Sequence, residues 1–247
     1  MEENEVDLAA DDARVQQIRK VLRLGVGDRL RAGIVNGVSG TAVIEVLDDR
    51  RMCLRFEADE PSAPAGRSEP AAPDPVDLLL GHPRPIVLRR LLRDLGTIGI
   101  RRLIVTPTEL GERSYLRATM WRNIRPFLIE GAAQAGVTRL MEVQRCLSLT
   151  DGIRTAAGAD QMRVVLHPSA DRTLGAALAA CSAASLLLAV GSERGWAGKE
   201  LELLIDAGFE IADMGERTLR TESAAVVAGW IALAAARRRA NAHRHPQ

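Results

Sequence analysis

Cysteine is scarce in this chain of 247 residues: Cys53, Cys146 and Cys181 are odd in number, far apart and without a C-x-x-C pair. That excludes a disulfide framework and a cysteine zinc site. A thiol nucleophile stays open as the rarer reading, because Cys181 stands in an Ala/Ser run and Cys53 in a strand-like one, where small buried hydrophobes are the norm. His82, His167, His243 and His245 show no metal-ligand spacing, so no metal is expected. No apolar run approaches the roughly 20 residues that cross a bilayer. The acidic start (Glu2, Glu3, Glu5, Asp7) is unlike a secretory or organelle-targeting segment, so a soluble, cytoplasmic protein with no membrane partner is expected. Net charge is missing as well: 33 Lys plus Arg face 32 Asp plus Glu, and with 47% hydrophobic residues the chain is neither disordered throughout nor supercharged. Lysine is confined to Lys20 and Lys199, a bias that genome composition alone can produce. No period of 20–50 residues repeats, which excludes a solenoid.

The balanced total hides a division. Residues 1–75 hold 10 basic and 15 acidic side chains, and the remaining 172 residues hold 23 and 17. From Arg84 to Arg125 there are ten arginines, opposed only by Asp94, Glu109 and Glu112. Such a stretch suits a polyanion, because each phosphate neutralised releases counterions; it equally suits a solvated helix face. Residues 57–75, rich in Pro, Ala and acid, read as an extended linker. Before it, Val15, Ile18, Val21 and Leu22 have helical spacing, and short Val/Ile/Leu runs separated by turns follow, with Asn36-Gly37 as a hairpin. These fit a small β-barrel over 1–56. After it, strand-like runs at 77–81, 102–107, 138–144, 162–168, 185–191 and 210–215 alternate with helical patterns near 85–98, 115–135, 172–183, 198–207 and 221–239. The alternation predicts an α/β domain over 76–240, a parallel sheet covered by helices, with a flexible tail at 241–247.

Two segments carry more than packing. In 186–209 a buried-strand run ends in Val190-Gly191-Ser192-Glu193-Arg194-Gly195, and a helix begins near Gly198. A glycine loop at the carboxyl end of a strand, leading into a helix, lets backbone N–H groups approach a nucleotide-like ligand. It is neither G-x-G-x-x-G nor a Walker loop, and a ligand-free tight turn explains the glycines equally well. In 211–236 a strand ends at Met214, Gly215 opens a loop, and Arg220, Thr221 and Glu222 precede a long Ala-rich helix. Thr221 with Glu222 also fits plain helix capping.

Read together, VGSERGWA (190–197), GKELELLIDAGF (198–209) and MGERTLRTESA (214–224) resemble three consecutive motifs of the RsmE family of SPOUT methyltransferases: IGPEGGFS, E-E-x-E-L-L-x-x-A-G-F and LGxRILRTETA. VLRLGVGDRLR (21–31) resembles that family's barrel start, and Glu112-Arg113-Ser114 its T-E-R-S. The resemblance implies a PUA-like barrel followed by an α/β-knot catalytic domain, S-adenosylmethionine (SAM) as cofactor, N3 of a 16S rRNA uridine as acceptor, and a homodimer. It implies cofactor contacts from Leu166 and His167, from Val190, Gly191, Ser192, Glu193 and Gly195, and from Met214, Gly215, Leu219 and Thr221. His167 also reads as a surface loop histidine before Pro168. Arg220 is expected beside the base and Glu222 to position it or assist proton removal. Arg23, Arg84, Arg89, Arg90, Arg113, Arg122 and Arg125 are expected to dock ribosomal RNA or the small subunit.

Departures from the pattern leave alternatives open. Arg194 stands where the family has a glycine, Thr97 where it has an acid, and in GAAQAGVTR (131–139) only Gln134 and Arg139 survive of the E-Q-x-x-R region. The same fold acting on another RNA or a protein, and a non-catalytic RNA-binding or ribosome-assembly protein with a decayed SAM site, both stay possible from the residues alone.

Overall fold

A computed structural model describes residues 4–59 and 75–244. Of the expected linker, 60–74 lie outside the described residues, as do 245–247 of the expected tail. The chain divides into two compact units, one formed by its N-terminal part together with Gly136–Arg139, the other by the remainder.

In the first unit four antiparallel strands, β1 (Glu5–Ala9), β2 (Arg29–Gly33), β3 (Ser39–Leu47) and β4 (Arg51–Ala58), pair in the order β1-β4-β3-β2. The hairpin falls where Asn36-Gly37 predicts it: Asn36 is left-handed at φ 58°, and Ile34 N–H donates to Val38 O at 2.9 Å. Helix α1 (Ala13–Gln17) runs on as a π-turn, Ile18–Leu22, and ends at a left-handed Arg23. Its Val15 and Ile18 pack on Leu8, Ile44 and Met52 as this unit's core. The strand arginines are consumed locally, with ion pairs Arg29–Glu57, Arg31–Asp59, Arg51–Asp7 and Arg55 to Glu45 and Glu57.

The second unit is built on a sheet of six parallel strands: β5 (Val76–Gly81), β6 (Arg102–Thr106), β7 (Glu142–Arg145), β8 (Gln161–Leu166), β9 (Ser185–Val190) and β10 (Glu210–Ala212), in the order β10-β8-β9-β5-β6-β7. Strand β5 is buried at every position, as a strand covered on both faces must be, and therefore reads as an unbroken apolar run. The alternation is seen in the packing: Leu78, Leu80, Leu103, Val105, Leu186 and Leu188 enter one core cluster, while Leu79, Ile104, Leu187 and Ala189 enter the other.

Helices α2 (Pro85–Ile98), α3 (Arg125–Ala135), α5 (Leu174–Ala179) and α7 (Thr221–Arg244) cover the first face, and α4 (Leu149–Ala156) and α6 (Gly198–Asp206) the second. Helix α2 begins with Pro85 in its first turn, buries Leu88, Leu91, Leu92 and Leu95 at helical spacing, and stops at left-handed Gly99 (φ 99°). The small residues of α7 let it lie close: a Cβ on Gly229 would stand 3.1 Å from Ile100 Cδ1.

Several elements differ from the sequence reading. The helix expected over 115–135 is broken into two 3-10 turns, Arg113–Arg117 and Thr119–Arg122, before α3, because Ala118 adopts ψ 141° and Asn123 φ −149°. The strand expected at 138–144 begins only at Glu142, since Thr138 is held in the first unit, its hydroxyl donating to Gly37 O at 2.6 Å. Helix α4 has no counterpart in the sequence reading, although Ser148 caps it by accepting from Asp151 N–H at 3.1 Å, a pattern visible in the sequence. Helix α7 continues to Arg244 and so takes in 241–244 of the expected tail, where no glycine or proline stops it.

At the amino end of the parallel sheet, fully buried Asp77 accepts from both Arg101 and Arg102 (2.6 and 2.5 Å). Asp77→Ala leaves two guanidinium groups without their anion in a partly buried place, and urea titration should show a loss of about 3 kcal/mol. A loss below about 1 kcal/mol would mean that solvent already screens the triad.

Candidate functional site

The strand order reverses beside β5: the chain first winds outward through β6 and β7, then returns to place β9 and β8 on β5's other side. In open α/β sheets ligands bind outside the carboxyl ends of the strands at such a reversal. Here that place holds a cleft of about 890 Å³, within the usual range for a small-molecule site. Three loops form it, after β8 (Leu166, His167), after β9 (Val190–Trp196) and after β10 (Asp213–Leu219 running into Arg220, Thr221 and Glu222), with Arg84 at the rim. Every cofactor residue and both catalytic residues expected from the sequence line this one cleft.

The β9 loop is shaped by backbone crowding. A Cβ on Gly191 would lie 2.8 Å from the backbone of Gly195, and one on Gly81, at the end of β5, 2.6 Å from Ser192 N. Gly191 is thus demanded by the loop's contact with itself, before any ligand is considered. Gly195 differs: it is left-handed (φ 74°) with nothing within 4 Å of its missing Cβ, as is Gly215 (φ 99°). Those two glycines leave open room at the cleft, so a bulky cofactor fits the cradle. The bridge Gly195 N–H to Ser192 O (2.8 Å) closes the turn.

Arg194 does not spoil this arrangement. The left-handed position is 195, and among the described residues the non-glycine ones with positive φ are Arg23, Asn36 and Asp160, so an arginine at 194 meets no conformational penalty. Its side chain is exposed. Backbone strain at 194 thus gives no ground for a decayed cofactor site, although the Arg194 side chain does line the cleft.

Ser192 is buried, and its hydroxyl pairs with that of buried Thr108 at 3.0 Å. Glu200 accepts with one carboxylate oxygen from Ala197 N–H (2.9 Å) and with the other from Glu109 N–H (2.8 Å), joining the start of α6 to the segment after β6. Sequence reasoning misses Gly81 and Thr108, lone residues at or just past strand ends with no motif, and it gives Glu200, though inside the 198–209 motif, no role; the adjacency of β5, β6 and β9 gives all three work.

His167 accepts at Nδ1 from Ser169 N–H (3.2 Å), with the Ser169 hydroxyl at 2.7 Å, leaving Nε2 to carry the proton. His82 is buried just after β5; Trp121 Nε1–H donates to its Nε2 (3.1 Å), so its Nδ1–H donates to Pro83 O (2.7 Å). Burial pushes its pKa below the ordinary histidine value, and the ring stays neutral. Four arginines (84, 194, 217, 220) and four carboxylates (Glu193, Asp213, Glu216, Glu222) line the cleft. Arg220 is exposed there and its guanidinium bonds no described residue, whereas Thr221, the first residue of α7, is buried.

The arginine stretch divides in two. Arg93 is paired with Glu130 and lies over Phe127, Arg101 and Arg102 hold Asp77, and Arg89 sits 5.9 Å from the Phe127 ring centre. Arg84, Arg90, Arg113, Arg122 and Arg125 are exposed, without an ion pair to a described residue, as is Arg23 in the first unit. Thr97 lies between α2 and α3, its hydroxyl between Arg93 O (2.9 Å) and Gly131 O (3.1 Å). The change at that position therefore belongs to helix packing.

A family model for the RNA methyltransferase domain matches residues 70–233. The ribosomal RNA small subunit methyltransferase E of Treponema pallidum is 37% identical over 92% of this chain and 85% of its own length. The ribosomal RNA small subunit methyltransferase E 1 of Borreliella burgdorferi is 26% identical over 91% of each. The crystal structure of a ribosomal RNA small subunit methyltransferase E from Neisseria gonorrhoeae, bound to S-adenosyl methionine, shares the fold with a TM-score of 0.71, at 19% identity over 91% of this chain and 89% of that one.

Gly81→Ala tests the crowding at the strand ends. The added methyl meets backbone atoms, which cannot swing aside, so the β9 loop must move. We expect destabilisation of about 1–3 kcal/mol in chemical denaturation together with faster amide exchange over 191–196. Unchanged exchange there would show that the loop does not depend on this contact.

Proposed function

Because the chain belongs to the ribosomal RNA small subunit methyltransferase E family, we propose that it transfers the methyl group of SAM to N3 of a uridine in 16S rRNA. It is a SAM-dependent rRNA methyltransferase with a PUA-like N-terminal unit and an α/β-knot domain. The observation that carries the finer reading is the convergence of three strand-end loops on a cleft where Arg220 and Glu222 stand beside two open glycines. No helix among the described residues is long and apolar enough to cross a membrane; cytoplasmic work on the small subunit is part of the proposal.

When bound, SAM supplies a methyl group already activated by the sulfonium, so the chain's task is to hold two reactants in line. Backbone groups of 190–195, 214–215 and 219–221, with Leu166 and His167, hold the cofactor. The uridine N3 proton leaves during transfer, and the ring becomes anionic. Arg220, whose side chain bonds no described residue, lends N–H donors to the carbonyl oxygens that take up this charge. Glu222, in the first turn of α7, accepts the N3 proton or orients Arg220. The exposed arginines 23, 84, 90, 113, 122 and 125, with Arg89, meet phosphates, which are charged before, during and after the reaction.

These roles separate kinetically. Arg220→Ala should lower kcat by about 100-fold or more and leave the RNA KM within a few-fold, whereas Arg122→Ala with Arg125→Ala should chiefly raise KM. The double replacement should also flatten the salt dependence, by a slope of about one for each phosphate no longer neutralised. Single-turnover methylation of 30S subunits across a salt series is the measurement. A pure KM effect of Arg220→Ala, with the salt slope of a phosphate-binding group, would make it a docking residue.

A homodimer completes the proposal. Helix α7 buries Ala225, Ala228, Ala232 and Leu233 in the unit, yet Val227 and Trp230 on its other side are 44% and 53% exposed, more apolar surface than a solvated helix face normally shows. Sedimentation at micromolar concentration should find twice the 26.7 kDa chain mass, and Trp230→Glu should shift it to the monomer. A stable wild-type monomer would refute dimerisation.

A further inference from the structure

We propose that Glu193 is a positioning residue: its carboxylate fastens the cofactor loop to the start of α2 and so fixes where that loop presents its backbone. The proposal rests on the reading of the cleft as a SAM site. In the sequence Glu193 falls among the expected cofactor contacts, but its side chain is engaged elsewhere. Glu193 Oε1 accepts from Arg84 N–H at 2.8 Å, across 109 residues of chain.

Arg84 is the N-cap of α2, and no side-chain cap serves that end. The next residue is Pro85, which has no N–H, while Val87 and Leu88 N–H donate to Arg84 O at 2.9 and 3.0 Å. A carboxylate brought in from the β9 loop thus takes the donor at the head of the helix and meets the positive end of its dipole. The neighbouring residue is fixed independently, through the Ser192–Thr108 hydroxyl pair at 3.0 Å. With the side chains of 192 and 193 both anchored in the protein, the turn 192–195 is held in place where it lines the cleft. The same bond places Arg84, a cleft-lining arginine whose guanidinium bonds no described residue, at a set distance from the cofactor loop.

Two properties of the side chain can be varied separately. Gln keeps the reach and an acceptor oxygen but loses the charge; Asp keeps the charge but is one methylene too short. For a residue that acts by accepting the Arg84 N–H, E193Q should bind SAM within about threefold of wild type, and E193D and E193A should both bind about tenfold more weakly. Isothermal titration of the full chain with SAM reads the affinity. Amide hydrogen exchange at Arg84, in the absence of cofactor, reads the bond itself and should quicken in E193D and E193A alone. Circular dichroism checks that the variants fold, as an exposed position allows.

The reverse order, with E193D near wild type and E193Q as weak as E193A, would show that the negative charge acts directly on the ligand and would overturn the proposal. Unchanged affinity and Arg84 exchange in E193A would overturn it too. Failure of the wild type to take up SAM would instead overturn the enzymatic reading, and Arg84 exchange in the same variants would still report whether Glu193 holds the loop.

Discussion

The site depends on how closely three pieces of backbone approach one another at the carboxyl ends of the parallel strands. Gly81 ends β5 against Ser192 N, and Gly191 lies against Gly195, in each case where a single methyl would collide with main chain at 2.6–2.8 Å. Main chain cannot rotate away as a side chain can, so this crowding holds the β9 loop in one place. The open faces of Gly195 and Gly215 are then left as the room for a ligand. Crowding on one side and space on the other are what make this loop a cradle.

That cradle sits at a place the sheet provides. Strand β5 has its neighbours β6 and β9 running the same way, and reversing the winding direction there opens a crevice without an unpaired strand edge. The apolar runs of β5 and β9 tolerate this because helices cover both faces; their alternate residues serve two separate cores. The connections then bring candidate cofactor contacts from as far apart as Leu166 and Leu219 onto one wall, with Arg220 and Glu222 following at the head of α7.

Charge is distributed on the same principle of local settlement. Arginines in the first unit's sheet are neutralised by nearby acids: Arg55 by Glu45 on the neighbouring strand β3, and Arg29 and Arg31 of β2 by Glu57 of β4 and Asp59 just beyond it. In the second unit some arginines are structural: Arg101 and Arg102 serve Asp77, and Arg93 serves Glu130 and Phe127. The arginines that remain exposed, with no ion pair to a described residue, are fewer than the raw count of ten. They are the set that can meet phosphate without first breaking a bond.

Much of this was determined by the sequence alone. The β/α alternation follows from apolar periodicity, α2 from Pro85, its leucines and Gly99, and the hairpin from Asn36-Gly37, because each of these is a local preference of a few neighbouring residues. The β9 and β10 loops of the cleft were legible for the same reason, each being a strand end, a glycine and a helix start in succession, whereas the β8 loop has no glycine before α5 and was expected only through the family resemblance. What only the tertiary structure decided involves residues far apart in the chain: that Gly191 yields to Gly195 and Gly81 to Ser192, that Ser192 and Glu193 turn to Thr108 and Arg84, that Glu200 joins α6 to Glu109, and that Trp121, in the broken stretch before α3, turns to His82. The physical reason is that hydrogen bonds and backbone contacts across a sheet depend on which strands become neighbours. A sequence announces its strands, but the parallel pairing of β5 with both β6 and β9 is set by the burial of the whole apolar sheet.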